Sequence, residues 1–390
     1  MVLEGLKVLD LSRLLPGPYA SLVLADLGAQ VDKVEDPNGG DYLRQMPPQA
    51  GEHSAMFVAL NRNKRSITLD LKRPEGAQAL RRLVRGYDVL LESFRPGVMD
   101  KLGLGYAALA EENPRLVYCA ISGFGQTGPD RGRAGHDLGY IARAGVLGYG
   151  GRADGEPAMP GVQVADVGGS LFGVIGILAA LHERNRTGRG RFVDVSMTEA
   201  ATAFLHMHLG ARLVMGAEGR PLRRGVETLN GGYPCYGVYR TQDGRYLAVG
   251  ALEPKFFSAF CAALGRPELL ESAYDTGEAG ARAQAEIAEA LAQRPLAHWV
   301  ELFRGLDVCV EPISEGDELL ADPQLQSRGL FVRAHDAVLG REVTHLRTPL
   351  RMDDVPFAPK PAPLLGEHGE EILREAGFSD EEIAQLLAAR

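Results

Sequence analysis

Short apolar runs alternate with amphipathic segments along the first 200 residues of the chain. GLKVLDLS predicts a strand, YASLVLADLG predicts a helix that ends at Gly28, and AQVDKVED predicts a second strand that ends before Pro37. Further strands are predicted by RSITLDLK, YDVLLESF and RLVYCAISGFG, with a helix in PEGAQALRRLVRG. This βαβ succession predicts an α/β fold with an open, Rossmann-like parallel sheet.

Three segments of this region have a different character. Residues 41–60 contain several turn-forming residues and predict a loop, and the glycine-rich residues 123–135 predict a loop after a strand. Residues 164–185 predict a long apolar helix. Because an aspartate, Asp166, and several glycines interrupt its apolar character, we expect a buried core helix and not a membrane span.

The pattern changes after residue 225. NGGYPCYGVYRTQDGRYLAVGA predicts an antiparallel hairpin, because two β-forming runs flank the turn pair Asp243-Gly244. Helical segments follow, and a proline-rich stretch then precedes a terminal helix. We therefore predict a large α/β domain, a linker and a smaller α+β domain. The boundaries are 1–200 for the large domain (completed by 331–390), 201–224 for the linker and 225–330 for the smaller domain.

Composition narrows the function classes. The chain has 390 residues, of which 45% are hydrophobic and 24% charged, as in ordinary globular proteins. Its net charge of -9 disfavours a nucleic acid or a membrane surface as partner. The four cysteines are widely spaced, which disfavours a disulfide framework or a zinc site, and no metal is expected. The N-terminal residues do not resemble a secretory signal, so we expect a cytoplasmic protein.

Several common catalytic motifs are absent from the sequence. The first βα turn reads SRLLPGP where a dinucleotide-binding enzyme would have GxGxxG. The sequence also contains no GxxxxGK[ST], HExxH or GxSxG. The absence of these motifs therefore disfavours an NAD enzyme, a P-loop enzyme and an α/β-hydrolase.

Three residues are candidates for acid–base chemistry. His136 follows the glycine-rich loop, Asp166 opens the apolar helix, and Glu253 follows a predicted strand. Each also has a purely structural interpretation. His136 would be a helix-start residue with Asp137 as its cap, Asp166 would be an N-cap, and Glu253 would be a surface residue that caps the first turn of the next helix.

The ordered segments resemble a known superfamily. NRNKRSITLDLK, DVLLESFRPGVMDKLGLG, ISGFGQTGP and AGHDLGYIA, followed later by ALEP, resemble the family III CoA-transferase superfamily. Within it, Gly135-His136-Asp137, Asp166 and Glu253 resemble the α-methylacyl-CoA racemase branch. The resemblance implies an isomerase that interconverts (R)- and (S)-2-methylacyl-CoA thioesters through an enolate. His136 and Asp166 would then be the proton-transfer pair, and Glu253 would support His136.

The resemblance leaves two alternatives open. In a CoA-transferase, Asp166 would be a nucleophile that forms an acyl-aspartyl anhydride. A protein that binds CoA esters without catalysis is the third possibility, and the retained His, Asp and Glu argue against it. No separate cofactor is expected, because coenzyme A is part of the acyl-CoA substrate. An interlocked homodimer is implied as well.

The resemblance also implies a set of residues that contact coenzyme A. These are Leu69, Asp70, Leu71, Lys72, Ser93, Phe94, Arg95, Lys101, Gly135, Asp137 and Tyr140. The sequence departs from the racemase pattern at the end of the second strand. An arginine for the nucleotide phosphates is common there, whereas this chain has Lys33-Val34-Glu35-Asp36-Pro37. Lys33 and Arg44 are the candidates for that phosphate contact.

Overall fold

The structure is a computed structural model that describes residues 1–51, 53–219, 221–352, 355 and 357–388. The chain divides into two compact units. The first comprises Met1–Ala144, Val162–Phe204 and Pro323–Arg390, and the second comprises Gly145–Gly161 and Leu205–Asp322.

Strands and helices are numbered separately along the chain. The strands are β1 (Lys7–Asp10), β2 (Gln30–Glu35), β3 (Gln49–Ala50), β4 (His53–Ser54), β5 (Lys64–Thr68), β6 (Val89–Glu92), β7 (Val117–Ser122), β8 (Phe192–Ser196), β9 (Tyr236–Arg240), β10 (Tyr246–Gly250), β11 (Val310–Pro312), β12 (Phe331–Asp336) and β13 (Arg341–Leu346). The helices are α1 (Pro16–Asp26), α2 (Ala55–Asn61), α3 (Pro74–Val84), α4 (Val98–Lys101), α5 (Tyr106–Glu112), α6 (Asp137–Arg143), α7 (Val146–Tyr149), α8 (Val164–Thr187), α9 (Met197–Ala203), α10 (His206–Met215), α11 (Pro254–Ala263), α12 (Glu278–Leu291), α13 (Leu296–Phe303), α14 (Glu318–Ala321), α15 (Pro323–Ser327), α16 (Gly369–Glu375) and α17 (Asp380–Ala388).

A six-stranded parallel sheet is the centre of the first unit. Its order is β5-β2-β1-β6-β7-β8. Every residue of β6 and β7 is buried, which fits a parallel sheet with both faces covered. The strand order reverses direction between β1 and β6, and such a reversal opens a ligand-binding crevice at the carboxyl ends of the strands. The predicted α/β fold with an open parallel sheet is confirmed.

Helices pack on both faces of this sheet. On one face α1 packs against α8. On the other face, Leu80 of α3 belongs to the same buried hydrophobic cluster as Leu90 and Tyr118 of the sheet. Ile372 of α16 is buried in this cluster as well. The carboxyl-terminal helices therefore contribute to the core of the first unit.

Helix α8 is the longest helix in the described part of the chain. Its length and composition would allow it to cross a membrane. However, half of its most apolar window is buried, and it packs along β7 and against α1 and α9. This is the packing of a core helix, and it places the amino end of α8 at the carboxyl edge of the sheet.

Two elements of the first unit differ from the prediction. The predicted loop 41–60 includes most of α2, which forms because Ser54 Oγ accepts a hydrogen bond from Met56 N and because Phe57 and Val58 are buried. The antiparallel hairpin of β12 and β13 also stands where no strand was predicted.

The second unit contains the three-stranded antiparallel sheet β11-β10-β9. The hairpin predicted around Asp243-Gly244 is confirmed, with Tyr246 paired to Arg240. Helices α11 to α13 cover this sheet and bury Phe257, Phe260 and Trp299.

The second unit also includes residues 145–161, which the sequence-based boundaries assign to the large domain. They pack there because Tyr149 Oη lies 2.9 Å from His208 Nδ1 and because Arg224 donates to the carbonyl oxygen of Gly155 (2.8 Å). Residues 205–224, which lie within the predicted linker, belong to this unit as well.

Candidate active site

The glycine-rich loop after β7 leads directly into His136. This residue occupies the N-cap position of α6, with an extended backbone (φ -132°, ψ 171°). Its side chain is exposed and does not accept a hydrogen bond from the first turn of α6. The imidazole is therefore accessible to a ligand at the carboxyl edge of the sheet.

Asp137, the next residue, connects the starts of two helices. Its side chain is buried, and Oδ1 accepts hydrogen bonds from Ala165 N (2.7 Å) and Asp166 N (3.1 Å). Asp137 thus caps α8 and not its own helix, which corrects the interpretation of Asp137 as a cap beside His136. Through this single carboxylate, the backbone next to His136 is held against the backbone of Asp166.

Asp166 itself is in the first turn of α8, which begins at Val164. The interpretation of Asp166 as an N-cap is therefore wrong, because Asp137 supplies the cap. Burial raises the pKa of the Asp166 carboxyl to about 7, and the negative charge of Asp137 adds to this rise. Near neutral pH, Asp166 can both accept and donate a proton, as acid–base catalysis requires.

Tyr140 supports the loop that carries His136. Its hydroxyl donates a hydrogen bond to the carbonyl oxygen of Gly135 (2.7 Å), and its ring meets Phe124 edge-on at 5.3 Å between centroids. A Cβ atom at Gly123 or Gly135 would lie 2.5 or 2.6 Å from this ring, so both positions require glycine. Burial raises the pKa of Tyr140, as does the charge of Asp166, whereas Arg95 opposes the shift. The phenol therefore stays a hydrogen-bond donor near Asp166.

Glu253 lies in the second unit. It occupies the N-cap position of α11, and its side chain is exposed and does not bond to the first turn of that helix. This carboxylate is therefore available for another partner. Its pairing with His136 stays a prediction.

The residues predicted to contact coenzyme A follow two strands of the sheet. Leu69 to Lys72 follow β5, where Asp70 Oδ1 accepts a hydrogen bond from Lys72 N (3.0 Å) and the Lys72 side chain is exposed. Ser93 to Arg95 follow β6, and Lys101 ends α4. Arg95 and Lys101 are exposed. Leu69 to Lys72 and Ser93 to Arg95 thus lie at the carboxyl edge of the sheet, where the crevice is expected. That the predicted set contacts coenzyme A stays a prediction.

Lys33 and Arg44 do not fill the place of the missing arginine. Lys33 is completely buried, and its Nζ lies 3.1 Å from Asp41 Oδ2 and donates to the carbonyl oxygen of Ser12 (2.6 Å). Arg44 Nη2 donates to Glu35 Oε1 at 2.7 Å. Both cations form ion pairs with carboxylates of this chain, so the expectation that either contacts a phosphate is wrong.

Arg13 is a further cation at this edge and lies outside the predicted set. It follows β1, and its guanidinium lies over the rings of Tyr42 and Phe94. The signal in the sequence is a basic residue directly after the first strand, in the turn SRLLPGP.

Comparison with known proteins agrees with this architecture. The chain is 40% identical over 390 residues to the alpha-methylacyl-CoA racemase of Homo sapiens, covering 99% of this chain and 96% of that protein. It is also 35% identical over 395 residues to the human succinyl-CoA:glutarate CoA-transferase, covering 99% and 89% of the two chains. Both kinds of relative match nearly the whole chain, so these similarities do not distinguish the two reactions.

A solved structure and a family profile match as well. The crystal structure of a CAIB/BAIF family protein from Brucella suis superposes with a TM-score of 0.83 at 35% identity, covering 96% of this chain and 99% of that one. The profile of CoA-transferase family III matches residues 3–369. With the family match extending over nearly all of both units, the chain belongs to CoA-transferase family III.

Proposed function

We propose that this protein is a racemase of 2-methylacyl-CoA thioesters. The observation that carries the proposal is the hydrogen bonding of Asp137, which sets the accessible imidazole of His136 and the carboxyl of Asp166 at the starts of two adjoining helices. Asp166 has a pKa near neutrality and is therefore suited to take a proton in one direction and return it in the other.

The reaction needs two proton-transfer groups, and the negative charge of the enolate that forms is carried by the thioester oxygen. In one direction, the Asp166 carboxylate removes the proton from the α carbon, and the C–H bonding pair moves into the thioester to form an enolate. Protonated His136 then donates its proton to the opposite face of the same carbon, which gives the other enantiomer. In the reverse direction, neutral His136 is the base and protonated Asp166 is the acid. Each such group contributes about 10²–10⁴-fold to the rate.

Glu253 is assigned the role of orienting His136 in this scheme. A carboxylate partner selects the ring tautomer of a histidine and stabilises the imidazolium that forms during proton transfer. The interlocked homodimer stays a prediction beside this assignment.

The raised pKa of Asp166 makes a prediction about pH. In the direction in which Asp166 is the base, only its carboxylate form removes the proton, so we expect kcat/KM for that enantiomer to fall as the pH is lowered through about 7. An ordinary aspartate would cause this loss only near about pH 4.

The D137N variant tests the contribution of Asp137 to this pKa. In D137N the amide oxygen still accepts hydrogen bonds but the negative charge is gone. The pKa of Asp166 is then lower, and the acidic limb of a kcat/KM profile is expected to move to lower pH. A limb that stays in place in D137N would contradict the electrostatic role of Asp137.

A CoA-transferase is the second candidate. It is supported by the similarity to the human succinyl-CoA:glutarate CoA-transferase and by the half-buried Asp166 carboxyl. In that reaction a carboxylate oxygen of Asp166 attacks the thioester carbonyl carbon. The C–S bond breaks, CoA thiolate leaves, and an acyl-aspartyl anhydride remains.

An exchange experiment separates the two reactions. One enantiomer of a 2-methylacyl-CoA is incubated with the protein in D₂O without any acceptor acid, and the α carbon is followed by NMR and chiral chromatography. The racemase proposal expects deuterium at the α carbon together with loss of optical purity. Turnover that appears only with an added carboxylic acid, and that hydroxylamine intercepts, would instead identify the transferase. Inertness in both assays would contradict both reactions.

A further inference from the structure

The backbone of Arg13 is held in place at the point where the strand order reverses. Arg13 N donates a hydrogen bond to Ser93 Oγ (3.2 Å), which ties the loop after β1 to the loop after β6. The next residue, Leu14, donates its N–H to Asp41 Oδ1 (3.0 Å) and has a positive φ of 64°. A non-glycine residue keeps such a conformation only where its surroundings enforce it. Arg13 is therefore presented from a fixed loop.

Two aromatic rings hold the guanidinium of Arg13. Its Cζ lies 5.3 Å from the centroid of Tyr42 and 5.4 Å from that of Phe94, and Nη1 donates to Tyr42 Oη (3.3 Å). Contacts of a guanidinium with aromatic faces orient its planar group and leave N–H donors free. Tyr42 itself is 60% exposed. This arrangement presents a cation and a flat aromatic surface side by side.

Arg13 differs from the buried cations of the same edge. Lys33 is paired with Asp41, Lys64 Nζ lies 3.4 Å from Asp10 Oδ2, and Arg44 is paired with Glu35. In the described part of the chain, no carboxylate oxygen lies within 4.0 Å of a side-chain nitrogen of Arg13. Its charge is thus available to an anionic ligand.

Asp36 interacts electrostatically with Arg13 but does not form an ion pair with it. Asp36 Oδ1 accepts hydrogen bonds from Asn38 N (2.9 Å) and Asn38 Nδ2 (3.2 Å), and Lys72 Nζ lies 4.0 Å from Oδ2. The Asp36 carboxylate is therefore engaged by its own turn, and the exposed cation Lys72 lies beside it. Lys72 and Arg13 together make this end of the crevice favourable for an anion.

The position of Arg13 relative to the candidate active site indicates which part of a ligand it meets. His136 follows β7, whereas Tyr42 follows β2, and β6 and β1 lie between those two strands. With neighbouring strands about 4.8 Å apart, β7 and β2 are separated by roughly 14 Å. The thioester and the nucleotide lie at opposite ends of the coenzyme A part of an acyl-CoA, so a thioester at His136 places the nucleotide toward β1 and β2.

We propose that Arg13 binds the ribose 3′-phosphate of the coenzyme A ligand, with the exposed face of Tyr42 packed against the nucleotide. The proposal rests on the proposed function, because it takes an acyl-CoA as the ligand. Arg13 thereby takes the role that neither Lys33 nor Arg44 can take. A guanidinium suits a phosphate monoester, because its N–H groups match two phosphate oxygens at once.

The test compares two ligands that differ only in the 3′-phosphate. Dissociation constants of coenzyme A and of 3′-dephospho-coenzyme A are measured by calorimetry for the wild-type protein, R13Q and R13K. The matched control is R189Q, which removes an exposed arginine just before β8, at the opposite edge of the sheet. Thermal unfolding of each variant shows whether it remains folded.

The wild-type protein and R189Q are expected to bind coenzyme A at least about tenfold more tightly than the dephospho form, as a charge-assisted pair should provide. In R13Q the ratio of the two dissociation constants falls to near one, because only the affinity for coenzyme A drops. R13K is expected to keep part of the preference for coenzyme A. An unchanged ratio in R13Q, or an equal loss for both ligands, would overturn the assignment. If the folded wild-type protein bound neither ligand, the proposed function would fail, and the assignment with it.

Discussion

D166N is expected to racemise 2-methylacyl-CoA about 10²–10⁴-fold more slowly than the wild-type protein. Asparagine keeps the size of the side chain but cannot accept a proton from carbon. The backbone N–H of residue 166 still donates to Asp137, so the start of α8 is expected to remain in place. The rate is followed by chiral chromatography of the thioester, starting from each enantiomer separately.

Isotope exchange shows which face of the α carbon Asp166 serves. In D₂O, D166N should lose exchange of the enantiomer whose α hydrogen faces Asp166. The other enantiomer should still exchange, with retention of configuration, because His136 can still remove and return its proton. D380N, which changes an exposed carboxylate on α17, is the control and should behave as the wild type. A near wild-type rate of racemisation in D166N would remove Asp166 from the mechanism.

H136Q is expected to lose racemisation to a similar extent, about 10²–10⁴-fold. Glutamine is polar and of similar length, and it has no group that titrates near neutral pH. Because the His136 side chain is exposed and does not cap α6, the substitution should leave the fold and the binding of acyl-CoA intact.

The exchange pattern of H136Q should mirror that of D166N. The enantiomer that still exchanges in one variant should be the one that no longer exchanges in the other. H182Q, which alters an exposed histidine of α8, is the matched control. If H136Q and D166N both lost exchange of the same enantiomer, the two residues would act on one face, and the two-base mechanism would be wrong.

The sequence predicts the parts of the fold that depend on local patterns. Apolar runs separated by an amphipathic helix predict the parallel sheet, and Asp243-Gly244 predicts the hairpin of the second unit. Helix α2 is missed because its seven residues cover only two turns, too few to show a helical period against the turn-forming residues around it. Its stability comes from the Ser54 cap and from burial of Phe57.

In the candidate site too, the sequence predicts the features that depend on local patterns and misses those that depend on distant residues. A histidine after a glycine-rich loop and an aspartate at the start of an apolar helix are visible in the sequence. The hydrogen bonds from Ala165 N and Asp166 N to Asp137 join residues 28 and 29 positions apart, and no local pattern reports them. For the same reason Lys33 resembles a solvent-exposed cation in the sequence. Its burial depends on a non-local partner, Asp41.

A crystal structure with a bound 2-methylacyl-CoA is the most direct test of the proposed chemistry. We expect a ring nitrogen of His136 and a carboxylate oxygen of Asp166 to lie on opposite faces of the α carbon, each about 3–3.5 Å from it, as proton transfer requires. Both groups on the same face, or either group several ångströms farther away, would contradict the racemase proposal.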